Sequence, residues 1–269
     1  MGLENIAAAF AHARSHNRPA LMPYWPLGYP TSELSLEVVL AIARAGADMI
    51  ELGVPFSDPL ADGVVNQRAS QIALANGITV AGCIALAARL RAAGCTIPMF
   101  AMGYMNPVMA YGEARYVADW HAAGVDGLIL PDLPPEESGE LAALCATRHM
   151  GLVQMVAPTS TPARLKLCAD HASGFIYIVQ VAGVTGGRID LADGLREYVG
   201  RVKQAALDKP VAVGFGISTA QHVREIGTFA DGAIVGSALV RHAGDAADPA
   251  QAAYEFVTGL NPIAAQALP

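Results

Sequence analysis

The sequence predicts an α/β fold, a single (β/α)8 TIM barrel with an extra N-terminal helix. Three observations carry this. Short apolar runs alternate with helical patterns along the whole chain. The runs number eight, enough for a parallel sheet to close on itself. The same punctuation recurs where helix gives way to strand, at Ala45-Gly46-Ala47-Asp48, Ala93-Gly94-Cys95 and Ala123-Gly124-Val125-Asp126. A glycine just past a helix end takes up the left-handed conformation at little cost. A doubly wound open sheet shares this alternation and is the competing architecture.

Taken in order, the chain opens on an alanine-rich helical pattern after Met1-Gly2-Leu3-Glu4-Asn5-Ile6. No basic segment leads into an apolar one there, so no secretory signal is read. A first strand is expected at 20–24 and a helix at 33–45, then a strand at 49–52 followed by a long Pro/Gly-rich loop. The pattern continues as helix 80–93, strand 97–101, helix 113–123, strand 127–130 and helix 136–149. It then runs as strand 152–156, helix 162–170, strand 175–179 and helix 191–207, and ends as strand 211–213, helix 220–227, strand 232–235 and helix 250–260. Ser160-Thr161-Pro162 and Asp248-Pro249 set a capping side chain beside a proline suited to the first helical position. Ser218 with Gln221 reads as a capping box.

Of 269 residues, 53% are hydrophobic and 15% charged, and mean hydropathy is +0.36. The longest uncharged stretch, 92–112, is interrupted by Gly94, Pro98, Gly103, Asn106 and Pro107, which makes a poor spanning helix. Strands buried on both faces explain the apolar excess better. No linker or low-complexity tract divides 1–269, so one domain is expected. A net charge of −7 argues against nucleic acid as a partner. Cys83, Cys95, Cys145 and Cys168 match no zinc or redox spacing and read as reduced, buried thiols of a cytoplasmic protein.

Chemistry in a barrel belongs at the C-terminal ends of the strands. The second run ends in Glu51, and the loop after it carries Asp58 and Asp62 before Gly63. A carboxyl on an apolar strand is desolvated, which raises its pKa toward that of a general acid or base. Two readings stay open here: proton transfer, or a core ion pair at Glu51 with turn-forming Asp58 and Asp62. The loops after the last two strands, Val213-Gly214-Phe215-Gly216-Ile217-Ser218 and Ile234-Val235-Gly236-Ser237-Ala238, suit an anion held by backbone amides. Simple turns are the alternative. Gly183-Val184-Thr185-Gly186-Gly187-Arg188 reads as a lid or as an ordinary flexible loop. The seven histidines lie outside these segments, and no metal site is expected.

Together these segments resemble the tryptophan synthase alpha chain family. The likeness begins at Met22-Pro23-Tyr24 with Leu27-Gly28-Tyr29-Pro30 and runs to Gly236-Ser237. Its most specific parts are 51–63 with Gln67-Arg68-Ala69-Ser70, Tyr104-Met105-Asn106-Pro107 and 124–137. The resemblance implies a retro-aldol lyase that splits indole-3-glycerol phosphate. Glu51 matches its acid–base, Asp62 its partner for the indole N–H, and Tyr24, Met102, Tyr177 and Phe215 its indole-pocket wall. Gly186, Gly216, Gly236 and Ser237 match its phosphate cradle, and Thr185 its lid, placed to meet Asp62. The resemblance implies no cofactor in this subunit. It also implies a pyridoxal-phosphate-containing β subunit as partner in an α2β2 assembly. Pro26, Val64 and Ala182 depart from the family pattern. The rival readings are a sugar-phosphate epimerase or isomerase on the same fold, a barrel kept only to activate a partner, and a stand-alone lyase releasing indole.

Overall fold

The computed structural model describes residues 2–179, 190–214 and 216–261. Eight strands close a parallel barrel in sequence order: β1 (Ala20–Pro26), β2 (Ile50–Gly53), β3 (Met99–Met102), β4 (Gly127–Ile129), β5 (Gly151–Val156), β6 (Ile176–Val179), β7 (Val211–Gly214) and β8 (Gly232–Val235). β1 pairs with β8, so the open-sheet alternative is excluded.

Helices cover the outside. Those expected appear as α1 (Leu3–Ser15), α2 (Ser32–Arg44), α4 (Val80–Ala92), α6 (Glu113–Ala122), α8 (Pro162–His171), α9 (Asp190–Ala206), α10 (Ala220–Gly227) and α12 (Pro249–Leu260). The sequence reading missed α3 (Val64–Ala75), α5 (Met105–Tyr111) and α11 (Ser237–Ala243). The expected helix at 136–149 is a 3-10 turn, Pro135–Glu137, followed by the shorter α7 (Gly139–Ala146). Thr161 and Asp248 cap α8 and α12 through the backbone N–H groups of Arg164 and Gln251. The α10 cap is Thr219, not Ser218: its hydroxyl accepts from His222 N–H, and Gln221 instead donates to Glu225. Gly46, Gly94 and Gly124 all have positive φ, as the punctuation required.

Strand alternation splits the core in two. Ala20, Met22, Met49, Phe100, Ile129, Val153, Phe175, Ala212 and Ile234 fill the barrel interior, and the opposite faces pack on the helices. α1 closes the N-terminal mouth, burying Ile6 and Phe10 against this interior, with the Phe10 ring 5.8 Å from Phe175. The same end carries a repeated device. An aspartate just before a strand accepts a backbone N–H from the neighbouring strand segment and pairs with a cation. Asp48 takes Leu21 N–H and Arg18, Asp126 takes Met99 N–H and Arg91, and Asp231 takes Val211 N–H and Lys203. Asp126 also accepts from Gly2 N–H at 2.7 Å, which locks α1 in place. The stability devices are thus at the N-terminal mouth, which leaves the C-terminal mouth for chemistry.

All four cysteines are free and buried, and burial pushes the Cys83 and Cys145 thiols up to about 12. Among the described residues no single helix is long and apolar enough to cross a membrane.

Candidate active site

Continuing the inward alternation toward the C-terminal mouth brings Tyr24, Glu51, Met102 and Tyr177 to the barrel axis. Tyr24 lies opposite Glu51 in the β1–β2 register, and Gly53 opposite Met102 in the β2–β3 register. The next inward position after Glu51 is Gly53, where a Cβ would sit 2.3 Å from the Tyr24 hydroxyl oxygen. Gly214 does the same for Tyr177, with a Cβ there only 2.8 Å from its hydroxyl. Two strand glycines therefore make room for two phenols leaning across the mouth.

Glu51 is 1% exposed, and its Oε1 has no hydrogen-bond partner among the described residues. Burial first, and the nearby Asp62 carboxylate second, push its carboxyl well above the ordinary glutamate range. Among the described residues no cation acts on Glu51, so the core ion pair considered for it is not formed there. Asp62 sits half-buried on the loop between β2 and α3. It accepts from the Tyr104 hydroxyl at 2.9 Å, and the Asn66 amide also favours its charged form. Burial raises its carboxyl too, but these two donors pull it back, so Asp62 ionises before Glu51. Tyr104 also accepts from Ala61 N–H at 3.1 Å, pinning the loop on both sides of its bond to Asp62. Desolvation and the two carboxylates raise Tyr24 and Tyr177, which keeps both phenols protonated as hydrogen-bond donors. A cleft beside this cluster is lined by Tyr24, Phe56, Asp62, Ser70, Met102 and Tyr104.

Gly236 and Ser237 lie at the far side. Gly236 is the N-cap of α11 and Ser237, exposed, its first residue. First-turn N–H groups of a helix lack a partner in a preceding turn; here Leu239 N–H bonds back to the Gly236 carbonyl at 3.0 Å, which leaves those of Ser237 and Ala238 for an anion. A Cβ on Gly236 would lie 3.8 Å from both Asn66 Nδ2 and the Tyr24 Cβ, so the turn borders the carboxylate cluster directly. Gly216, φ 57°, is exposed just past β7. Thr185, Gly186 and Phe215, with the whole lid segment and Ala182, lie outside the described residues. No group of three or more His, Cys, Asp or Glu is placed to hold a metal among the described residues.

The sequence reading did not single out Tyr104, Asn66 or Ser70 as site residues. Asn66 and Ser70 are four apart on α3, so one helix face presents both. The apolar spacing of Val65, Ala69, Ile72 and Ala73 was the signal that a helix follows the loop.

Comparison with known proteins adds the family. The tryptophan synthase alpha chain family matches residues 10–266. The chain is 50% identical over 238 residues to a tryptophan synthase alpha chain of Chloroflexus aggregans, covering 88% of this chain and 89% of that one. It is 39% identical over 259 residues to the tryptophan synthase of Saccharomyces cerevisiae, covering 96% of this chain and 37% of that longer protein. Among solved structures, Mycobacterium tuberculosis tryptophan synthase in space group F222 superposes with a TM-score of 0.87 at 37% identity, covering 97% of this chain and 96% of that one. With an alpha-chain match spanning nearly its whole length and a closed barrel carrying paired carboxylates at the C-terminal mouth, the chain belongs to the tryptophan synthase alpha chain family.

Proposed function

We propose that Glu51 performs the proton transfers of this lyase and that Asp62 anchors the indole nitrogen. As a member of its family the chain cleaves indole-3-glycerol phosphate to indole and D-glyceraldehyde 3-phosphate, a retro-aldol step of L-tryptophan biosynthesis. Protonation of indole C3 places a positive charge on the ring nitrogen. Loss of the proton from the hydroxyl on the adjoining glycerol carbon forms the aldehyde carbonyl, and the electrons of the breaking C–C bond neutralise the ring. One proton is taken and one given. A desolvated carboxyl with a raised pKa suits both transfers, and an ionised carboxylate suits the N–H and its developing charge. The buried Glu51 carboxyl, with one oxygen unpartnered beside Asp62, carries this reading.

Tyr24, Met102 and Tyr177 wall the indole, joined by Phe215. Backbone amides at Gly216, Gly236 and Ser237 hold the phosphate, with Gly186 and Thr185 closing from the lid. The whole chain acts as one domain. Proton transfer accounts for the complete reaction, so no cofactor is assigned to this subunit. Pyridoxal phosphate belongs to the β subunit of a cytoplasmic α2β2 assembly. Exposed Leu60 (93%), Val64 (79%) and Met109 (67%) support a partner surface. They lie on the loop after β2, the start of α3, and α5, all at the C-terminal mouth. The test is indole release from indole-3-glycerol phosphate, with and without β subunit. Slow release by the isolated chain, accelerated by the partner, is expected. Absence of indole in both conditions overturns the assignment, and full speed without partner overturns the acceleration by the β subunit.

A further inference from the structure

Asn66, on the first turn of α3, stands between the two ends of the site. Its side chain favours the charged form of Asp62, and its Nδ2 is 3.8 Å from the point a Gly236 Cβ would occupy. Charge fixes the orientation of the amide. An ionised carboxylate only accepts, so the nitrogen must face Asp62 and Oδ1 must turn away from it. That Oδ1 is buried and has no hydrogen-bond partner among the described residues. Packing does not explain it. The helix is capped at Gly63 without a side chain, and its buried face is Ala69, Ser70 and Ala73. A buried carbonyl left unpaired is a cost to folding and marks a place where a donor is expected on binding.

We propose that Asn66 Oδ1 accepts a hydrogen bond from the glycerol chain of the substrate, which makes Asn66 a specificity-determining residue. This rests on the reading above, with indole at Asp62 and phosphate at Gly236. In indole-3-glycerol phosphate two hydroxyl-bearing carbons separate ring from phosphate. The hydroxyl next to the ring gives its proton to Glu51. The second, nearer the phosphate, has no partner assigned so far, and Asn66 borders both subsites where it must pass.

The test compares two ligands on the intact chain. One is indole-3-glycerol phosphate, followed by kcat/KM. The other is indole-3-propyl phosphate, which lacks both hydroxyls, followed as a competitive inhibitor. Asn66→Leu, close in shape, weakens both ligands through Asp62, but kcat/KM should fall by about 10- to 100-fold more than the inhibition constant rises. Asn66→Ala should show the same split, and it serves if the leucine variant does not fold. Equal weakening of both ligands means Asn66 acts only by holding Asp62 or the fold, and overturns the proposal, as does unchanged kcat/KM. Failure of the Glu51 assignment is distinguishable, because it leaves turnover intact in Glu51→Gln without altering this split.

Discussion

One methyl group added at two glycines of the mouth should have opposite consequences. At Gly236 a Cβ would meet its nearest atoms at 3.8 Å, ordinary van der Waals contact, and φ is −105°. Folding should change by less than about 1 kcal/mol. A phosphate held by the amides of this turn must approach the same space. Losing one charge-assisted hydrogen bond there removes about 1.5–3 kcal/mol, which is roughly 10- to 150-fold in affinity. At Gly53 the new Cβ would lie 2.3 Å from the Tyr24 hydroxyl oxygen, so the phenol must leave its place above β2. Such overpacking costs about 1–3 kcal/mol and disturbs the Tyr24–Glu51 pair. Calorimetric titration with glyceraldehyde 3-phosphate, repeated with inorganic phosphate, reads the first effect, and thermal unfolding the second. Gly236→Ala should lose affinity and keep its Tm, whereas Gly53→Ala should lose Tm and indole release yet keep phosphate affinity. Wild-type affinity in Gly236→Ala would place the anion elsewhere and refute the reasoning.

Two further outcomes test the division of the molecule. Asp126→Ala removes acceptors for Gly2 N–H, Met99 N–H and Arg91 at a fully buried position. It should cost about 3–5 kcal/mol and lower Tm by very roughly 6–20 °C, with indole release at low temperature retained, as differential scanning calorimetry and a turnover assay will show. Leu60→Asp, at a side chain 93% exposed, should leave the isolated chain's rate and Tm unchanged but raise the β-subunit concentration needed for half-maximal stimulation about tenfold or more. An unchanged titration would remove Leu60 from the partner surface.

The barrel was readable because every unit carries an apolar run, three carry a glycine-marked helix end as well, and eight such runs are enough to close the sheet through the β1–β8 pairing. The helices that escaped have mixed signals. α5 and α11 are seven residues each, too short for periodicity, and α3 follows a loop whose Pro and Gly content masks its onset. The 136–149 segment was over-read because it breaks at Ser138, between the turn that starts at Pro135 and the helix that starts at Gly139. Glu51 was noticeable as a candidate because a carboxyl inside an apolar run is anomalous in one dimension. Tyr104 and Asn66 were not, since an ordinary Tyr and Asn become site residues only when the loop after β2 folds back and brings Asp62 within reach. The aspartates preceding strands stood in plain view in the Ala-Gly-Ala-Asp and Ala-Gly-Val-Asp strings. Their role appears only once the neighbouring strand supplies its N–H.

The role assigned to Glu51 requires a desolvated carboxyl kept for proton transfer at the expense of stability. Its folded pKa lies above the unfolded value, so the folded state binds protons more tightly. Any stability linked to that proton is present below the unfolded pKa, about 4.3, and is lost as pH rises through the folded pKa. Glu51→Gln keeps the shape and removes the titration. The decisive measurement pairs indole release with thermal unfolding of wild type and Glu51→Gln from pH 4.5 to 8.5. Turnover in the variant should fall by about 100-fold or more at every pH. Its Tm should exceed the wild-type value at pH 8.5, with the gap closing toward pH 4.5. Near-normal turnover in a folded variant, or a Tm below wild type at pH 8.5, would contradict the account.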